Sequence, residues 1–216
     1  MRRRVFACEE VTMRHTIHAE GFGVRLRPVR MDDAPFIVWL RNLEHVKGRV
    51  GDSAADAASQ QTWLEAYFER EGDYYFIIET QGRIPVGAYG IYHATAASAE
   101  SGRWIIRPEV PAAIPSAMVA FDLAFGSMAL GELRVTTVAT NRSVLSLNLK
   151  FGFRQTGVTP AGQVIGGQAV DLVNYILTAE DWSKRRERLV PLARLAEIQV
   201  REWEQASSET KPDGDT

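Results

Sequence analysis

Residues 111–116 have the composition of a turn that could hold an anion. They lie between an apolar strand that ends at Pro108 and a long helix whose apolar residues recur every three or four positions. The first N–H groups of a helix have no partner within it and carry partial positive charge, so a pyrophosphate can bind there. Small side chains let the backbone approach such a ligand, and Ser116 adds a hydroxyl. Many turns before helices share these properties, so this segment alone does not distinguish a phosphate site from an ordinary turn.

The second informative segment, residues 141–153, reads Asn-Arg-Ser-Val-Leu-Ser-Leu-Asn-Leu-Lys-Phe-Gly-Phe. Its residue types predict a helix with an asparagine cap and a glycine at its carboxyl end. Its spacing also resembles the signature of the GNAT acetyltransferase superfamily, whose order of elements residues 23–178 share. The matching residues are Asn141, Leu147, Lys150, Gly152 and Phe153. The resemblance implies an N-acetyltransferase that uses acetyl-CoA.

Two positions depart from the family's pattern. Pro115 lies in the expected phosphate loop and has no N–H to offer. Asn148 stands where the family most often has a tyrosine that protonates the departing thiolate. The asparagine amide can donate a hydrogen bond, but it is not an acid. These departures keep open a second interpretation, an acyl-CoA-binding module without catalysis.

The resemblance implies a cofactor site built from three segments. In the family, the strand before the long helix splays from its neighbour and its backbone pairs with the pantetheine arm. The following turn holds the pyrophosphate, and the start of the next helix lines the arm. The residues so implied are Ile105, Ile106, Arg107, Ala112, Ala113, Ile114, Ser116, Asn141 and Arg142. For Arg142, a solvated arginine at a helix start is the alternative.

Direct acetyl transfer needs a base that accepts the proton of the amine and a hydrogen-bond donor that stabilises the oxyanion. The resemblance implies that a backbone N–H of the splayed strand is this donor. The first candidate for the base is His93, at the end of a strand beside the expected cleft, and the second is Glu100. Asn148 is the third predicted catalytic residue, as a hydrogen-bond donor to the sulfur. An ordinary surface histidine is the alternative for His93.

Residues 39–42, Trp-Leu-Arg-Asn, resemble an element of bacterial GNAT enzymes that acetylate amino-sugar nucleotides. This resemblance makes Arg41 and Asn42 the predicted contacts to a diphosphate or a sugar hydroxyl, because the planar guanidinium suits phosphate. A cation that merely offsets the dipole at the end of a helix is the alternative for Arg41. Acetylation of a protein N-terminus, as in the related ribosomal-protein acetyltransferases, also stays open.

The elements that must position these residues are those of an α/β (α+β) protein. Alternating apolar residues and turn signals predict seven strands in a mixed, mostly antiparallel sheet with splayed central strands, flanked by helices. We expect one domain over residues 21–178, a disordered leader over 1–20 and a disordered tail over 206–216. A C-terminal helix over residues 179–205, interrupted by Pro191, has further apolar residues that either pack on the domain or form a homodimer contact.

Composition narrows the class of protein. The 25 basic residues are balanced by 27 acidic ones, which argues against a nucleic-acid binder. The single cysteine, Cys8, cannot form an internal disulfide, and no apolar run has the ~20 residues that cross a bilayer. Cys8, His15 and His18 lack the spacing of a zinc site, so no metal is expected. We therefore expect a cytoplasmic protein that binds a small amine and neither nucleic acid nor membrane.

Overall fold

The computed structural model describes residues 13–47, 49–50, 54 and 56–209, and these contain eight strands. The strands are β1 (Ala19–Gly21), β2 (Val24–Pro28), β3 (Tyr74–Thr80), β4 (Pro85–Tyr92), β5 (Ser98–Ile106), β6 (Glu132–Val138), β7 (Arg154–Ile165) and β8 (Gln168–Thr178). They form one sheet in the order β1-β2-β3-β4-β5-β6-β8-β7. The pairing of β5 with β6 is parallel and the other pairings are antiparallel, which confirms the mixed, mostly antiparallel sheet.

Within the described ranges, five α-helices accompany the sheet. They are α1 (Ala34–Arg41), α2 (Ala57–Phe68), α3 (Ala113–Asp122), α4 (Arg142–Phe151) and α5 (Ala179–Glu209). A π-helical turn, Leu123–Ser127, extends α3. Helix α4 begins after Asn141 and ends at Gly152, whose φ of 96° is the left-handed conformation that glycine adopts most readily.

The helices cover both faces of the sheet because alternate side chains of a strand point to opposite sides. On β3, Phe76 and Ile78 belong to the core that contains α3 and α5. Their neighbours Tyr75 and Ile77 belong to the core that contains α1 and α2. Two hydrophobic cores therefore share one sheet, and β3 and β4 are buried on both faces.

Two strands differ from the sequence prediction. The eighth strand is β1, which begins at Ala19, inside the predicted leader, and pairs with β2. Its three residues are too few to show a period. Strand β5 begins at Ser98, whereas the apolar pattern of the sequence predicts a strand only from Arg103. The sequence missed the first part because the buried residues there, such as Ala99 and Ser101, are small and show no apolar pattern.

Helix α5 also differs, because it continues through Pro191 without a break. Proline removes one helical hydrogen bond and crowds the preceding turn, which usually ends or kinks a helix. Here Pro191 lies on the exposed side, while Leu189 and Ala193 on either side of it are buried in the core. The buried side of α5 therefore packs into the core on both sides of the proline.

Several predictions concern residues outside the described part of the chain. Residues 1–12 of the predicted leader, with Cys8, and residues 210–216 of the predicted tail lie outside it. The division into residues 21–178 and 179–205 stays a prediction. No described helix has a stretch long and apolar enough to cross a membrane. No group of three or more His, Cys, Asp and Glu side chains among the described residues is arranged to hold a metal ion.

Candidate functional site

Strands β5 and β6 separate partway along their length and leave a gap in the sheet. Their parallel pairing joins Ser98, Ala99 and Glu100 to Glu132, Leu133 and Arg134. Beyond Glu100, β5 continues beside β4 to Ile106, while β6 continues beside β8 to Val138. The splay that the resemblance implied is therefore confirmed.

The open edge of β5 faces this gap. The N–H of Arg107 donates to the carbonyl of Val86, 2.8 Å away, on the β4 side. In an extended strand the N–H and C=O of one residue point to the same side, and those of the next residue point to the opposite side. Since Arg107 bonds to β4, the backbone groups of Ile106 point towards the gap. The backbone groups of Ile106, one of the residues predicted to pair with pantetheine, are therefore available to a ligand. The N–H of Arg107 is not, because it is bonded within the sheet.

A β-bulge changes the direction of β5 beside the gap. Ala88 pairs with Ile105 and Gly90 with Gly102, so β5 has one more residue than β4 between these pairs. Arg103 lies in the bulge with a φ of 52°. Bulges of this kind re-aim side chains and are common beside active sites. Here the guanidinium of Arg103 lies on the α1 and α2 face of the sheet.

A cavity of about 320 Å³ lies in the gap. Its walls include Tyr89, Ser101, Trp104, Thr137, Asn141 and Asn148. The hydroxyls of Tyr89 and Ser101 share a hydrogen bond, and burial raises the pKa of Tyr89. The phenol is therefore protonated at neutral pH.

Asn148 reaches this cavity from α4. Its side chain is buried, and its Nδ2 donates to the Thr137 hydroxyl at 3.1 Å. A side-chain amide nitrogen has two N–H groups, so one remains for another acceptor. The structure thus places Asn148 in the wall of the gap, and its catalytic role stays a prediction.

The start of α3 lies at the end of β5. A helix leaves its first N–H groups without an intrahelical partner, which here concerns Ala113 and Ile114, because Pro115 has none. The N–H groups of Ala112 and Ser116 are bonded to the carbonyls of Val110 and Ala112. The turn therefore offers two backbone donors.

The hydroxyl of Ser116, predicted to bind phosphate, is used inside the protein. It is fully buried, donates to the carbonyl of Ala113 and accepts from the indole Nε1 of Trp104, both at 3.2 Å. Ser116 therefore fixes Trp104 at the gap and joins β5 to the start of α3.

Three of the predicted cofactor segments meet at a smaller cavity of about 220 Å³. Ile105 and Ile106 of β5 and Ala113 of α3 line one side, and Asn141 lies at the start of α4. Arg142, the next residue, is exposed and does not line this cavity or the one in the gap.

A third cavity, of about 510 Å³, lies on the α1 and α2 face of the sheet. Arg41 and Arg103 line both this cavity and the one in the gap, so the two adjoin. Trp63, Arg70 and Tyr75 complete its charged and aromatic wall. Among its described lining residues are three arginines and no acidic side chain.

Arg103 is held in place by Asp73. Its Nη1 and Nη2 donate to Oδ1 and Oδ2 of Asp73 at 2.6 and 2.9 Å. The guanidinium lies 5.1 Å from the ring centre of Trp63 and 4.6 Å from that of Tyr92. Burial disfavours its charge, but the hydrogen bonds and the charge of Asp73 outweigh burial and raise the pKa of Arg103. Arg103 is therefore a fixed cation between the two cavities.

The remaining predicted residues lie further out. His93 Nδ1 and Glu100 Oε1 are 3.1 Å apart, and their side chains are 74% and 45% exposed. Neither lines the cavity in the gap, although Tyr92, the neighbour of His93, does. Asn42 Nδ2 donates to the carbonyl of Val38 on its own helix, at 2.9 Å, so Asn42 closes the end of α1 outside the cavity wall.

Sequence reasoning did not single out Arg70, Tyr89, Ser101 or Arg103. A glycine inside a strand often marks a bulge, and Gly102 directly before Arg103 is the signal that could have drawn attention to this position. The pairing of Tyr89 with Ser101 has no local signal, because it depends on the register between β4 and β5.

Comparison with known proteins agrees with this geometry. The family model of the acetyltransferase (GNAT) domain matches residues 24–154. Among solved structures, FdhC, described as a nucleotide-linked sugar GNAT, is 25% identical with a TM-score of 0.66. That match covers 83% of this chain and 98% of FdhC. No curated protein sequence matches the chain.

Two further solved structures share the fold at lower identity. RimJ from Mycobacterium smegmatis, in complex with CoA-disulfide, is 24% identical with a TM-score of 0.70, over 84% of this chain and 97% of RimJ. A point mutant of the spermidine N-acetyltransferase SpeG from Vibrio cholerae is 18% identical with a TM-score of 0.67. That match covers 76% of this chain and 99% of SpeG.

Proposed function

The chain belongs to the acetyltransferase (GNAT) family and is an acyltransferase, and we propose that it transfers the acetyl group of acetyl-CoA to the amine of a nucleotide-linked amino sugar. The observation that carries this acceptor class is the charge of the 510 Å³ cavity, which contains Arg41, Arg70 and Arg103 without an acidic side chain among its described lining. FdhC, at 25% identity, supports the same class.

The charges of this cavity decide between acceptor classes. Arg103 is neutralised by Asp73, so we base the proposal on the positive charge that Arg70, whose side chain is 43% exposed, offers to a ligand. A diphosphate is attracted to such a wall, and the planar guanidinium suits its oxygens. A polyamine would be repelled by the same charges. This argument supports Arg70 as a diphosphate contact. Arg41 lines the same cavity and stays a predicted contact, and the argument gives no such role to Asn42.

The donor side suits a phosphorylated thiol carrier. The open edge of β5 at Ile106 offers backbone groups to an extended arm, as one strand offers them to another. The N–H groups of Ala113 and Ile114, at the positive end of α3, suit a pyrophosphate. Ile106 and Ala113 both line the 220 Å³ cavity. Their backbone groups support the proposal that acetyl-CoA is the donor bound there.

Transfer would be direct, with both substrates bound. The amine nitrogen attacks the thioester carbon and forms the N–C bond, and a backbone N–H on the open edge of β5 stabilises the oxyanion of the tetrahedral intermediate. The intermediate then collapses, which re-forms the carbonyl and breaks the C–S bond. The departing thiolate receives a hydrogen bond from the amide of Asn148, and the proton that the amine gives up reaches the thiolate through water. Holding amine and thioester together in adjoining cavities supplies most of the rate acceleration.

The proton of the attacking amine needs an acceptor. Because His93 and Glu100 are exposed and lie outside the wall of the gap, we propose that they accept it through water. The ion-paired geometry at 3.1 Å lets Glu100 stabilise the imidazolium that forms.

The test is release of free CoA thiol from acetyl-CoA with four acceptors: a nucleotide-linked amino sugar, the same amino sugar without its nucleotide, spermidine, and a short peptide with a free N-terminus. We expect saturable turnover with the nucleotide-linked sugar. With the free sugar we expect kcat/KM to be at least tenfold lower, because a tenfold change corresponds to the loss of about one charge-assisted contact.

Each other result contradicts the proposal in a specific way. Turnover with the peptide alone would identify a protein N-terminal acetyltransferase. Turnover with spermidine alone would refute the argument from cavity charge. CoA binding measured by calorimetry, without thiol release for any acceptor, would identify an inactive acyl-CoA-binding module.

A further inference from the structure

The exposed side of α5 carries an apolar stripe that consists of Leu192, Leu195 and Ile198. Their exposed fractions are 41%, 56% and 54%. At a spacing of three residues they lie on one side of the helix, whereas Leu189 and Ala193 point into the core. A single exposed leucine would need no explanation, but a contiguous patch indicates an interaction surface.

The charged residues that flank this α5 stripe are arranged symmetrically about Leu195. Arg188 precedes Leu195 by seven positions, and Glu202 follows it by seven. Both side chains are exposed, and neither forms an ion pair with another residue in the part of the chain that the structure describes. Both lie within the arc of the helix that the stripe occupies.

This symmetry fits a particular partner. If a second α5 lies antiparallel across the first, with a two-fold axis at Leu195, each residue faces the one equally far on the other side. Leu192 then faces Ile198, and Arg188 faces Glu202, and the two-fold axis repeats both contacts. A self-complementary surface of this kind is the requirement for an isologous interface.

We propose that the α5 stripe is the contact surface for a second copy of this chain, packed antiparallel about a two-fold axis at Leu195. The opposite charges at the two ends select this register, because any shift along the helix moves Arg188 away from Glu202. An unrelated partner would not require the stripe to be symmetric about its own centre.

The length of the contact predicts its strength. From residue 188 to 202 the helix spans about 21 Å. One helix face of this length buries less than the ~800 Å² per partner of a standard interface. We therefore expect a dimer that dissociates in the micromolar range, without a loss of fold in the monomer.

The first test is sedimentation velocity of the full 24.1 kDa chain at protein concentrations from a few to several hundred micromolar. We expect the mass to rise towards twice that of one chain as the concentration rises. Leu195→Glu should remain a monomer, because it places two carboxylates together at the axis. The matched control is Val164→Glu on β7, also a highly exposed apolar residue, at 61%, which should dimerise normally.

The second test addresses the register. Arg188→Glu and Glu202→Arg should each weaken the dimer at least tenfold, because each places like charges opposite one another at both ends. The double variant, with the charges exchanged, should restore it. Circular dichroism of every variant confirms that the helices are intact.

Three results would overturn the proposal. A monomer at all concentrations would mean that the stripe has another occupant. A dimer that survives Leu195→Glu would use another surface. Weakening by both single substitutions without restoration in the double variant would exclude the two-fold register. None of these outcomes depends on catalysis, so the proposed acetyl transfer is tested separately.

Discussion

Arg70 and Arg103 of the proposed acceptor cavity differ in their partners, and we expect this difference to decide their roles. Arg103 is bonded by both oxygens of Asp73, at 2.6 and 2.9 Å, and its side chain is only 19% exposed. Arg70 is 43% exposed, lies 5.0 Å from the ring centre of Trp63, and approaches Asp73 only to 4.0 Å. Arg103 therefore shapes the cavity, whereas Arg70 can turn to a ligand.

From this difference we predict the effect of Arg70→Gln. The KM for a nucleotide-linked amino sugar should rise about tenfold, because the substitution removes one charge-assisted hydrogen bond to the substrate. The kcat should change little. The KM for the free amino sugar should stay the same. Arg83→Gln, in the exposed turn between β3 and β4, is the matched control and should alter neither value. If Arg70→Gln changed the KM for both sugars equally, the diphosphate would not bind at Arg70.

The first residue of α3 allows a test in which stability and binding change in opposite directions. An aspartate at position 113 is favourable for the helix, because it lies at the positive end of the dipole, but it repels a pyrophosphate. We expect Ala113→Asp to keep or raise the free energy of unfolding and to raise the Kd for CoA at least tenfold.

Ala113→Asn, of nearly the same shape without the charge, is the matched control and should bind CoA at most a few times more weakly. Calorimetric titration measures the Kd, and urea denaturation measures the stability. Unchanged CoA binding by Ala113→Asp would mean that the phosphates do not bind at the start of α3.

His15 predicts a pH dependence of stability. Its ring packs against Tyr74 and Phe76, with centres 5.4 and 4.8 Å apart, and burial lowers its pKa from 6.5 to about 4. The unfolded chain therefore binds a proton at His15 that the folded chain does not, so the stabilisation is present above pH 6.5 and is lost as the pH falls towards 4.

We compare the wild type with His15→Gln, which does not titrate. Between pH 7 and 5 the free energy of unfolding of the wild type should fall by about 1 kcal/mol more than that of the variant, a value reduced for partial exposure of the ring. Urea denaturation at both pH values provides the measurement. Parallel losses in the two proteins would mean that His15 is not buried as described.

At the level of elements, the divergence of β5 from β6 creates the gap that we propose as the donor site, and we expect this gap to depend on the tight contact of β5 with β4. A Cβ added at Gly87 would lie 2.5 Å from the carbonyl oxygen of Ile105 and 2.7 Å from Cδ1 of Ile106. The absence of a side chain at this position lets β5 follow β4 closely where its other edge is open.

Gly87→Ala should therefore lower the free energy of unfolding by about 1–3 kcal/mol, as overpacking does. It should also weaken CoA binding, because β5 must move towards the gap. Gly157→Ala on β7 is the control, since an added Cβ there meets no atom within 4 Å. A Gly87→Ala protein as stable as the control would show that this contact can relax and that it does not set the gap.

The sequence predicted the elements with strong patterns and missed those whose position depends on pairing. The stripe of α3 and the glycine that ends α4 were apparent, because both are local. Strand β1 has three residues and forms only because β2 offers an edge. The first half of β5, with Ala99 and Ser101 buried, has side chains too small to show a period.

At the level of the whole molecule, one sheet brings together residues that are far apart in sequence. Asp73 and Arg103 are 30 positions apart, and they meet because β5 has a bulge that turns Arg103 towards the α1 and α2 face. No local pattern could reveal this pair. The donor segments were predicted through the family resemblance, because each of them is a continuous motif.

The same sheet explains why two substrates can meet. The proposed donor site lies where β5 leaves β6, the proposed acceptor cavity lies on the α1 and α2 face, and Arg103 borders both cavities. An amine bound in the larger cavity would therefore approach a thioester in the gap through the sheet. The α5 stripe lies on a helix of the opposite face, so dimerisation would leave the acceptor cavity open.

The most direct test of this arrangement is hydrogen–deuterium exchange of the protein alone, with saturating CoA, and with CoA and a nucleotide-linked amino sugar. We predict that CoA slows exchange in residues 104–114 and 141–144, and that the sugar then slows it at the start of α2, around Ser59 to Trp63. Unchanged exchange in residues 104–114 at saturating CoA would contradict the account, because the donor would then lie outside the gap between β5 and β6.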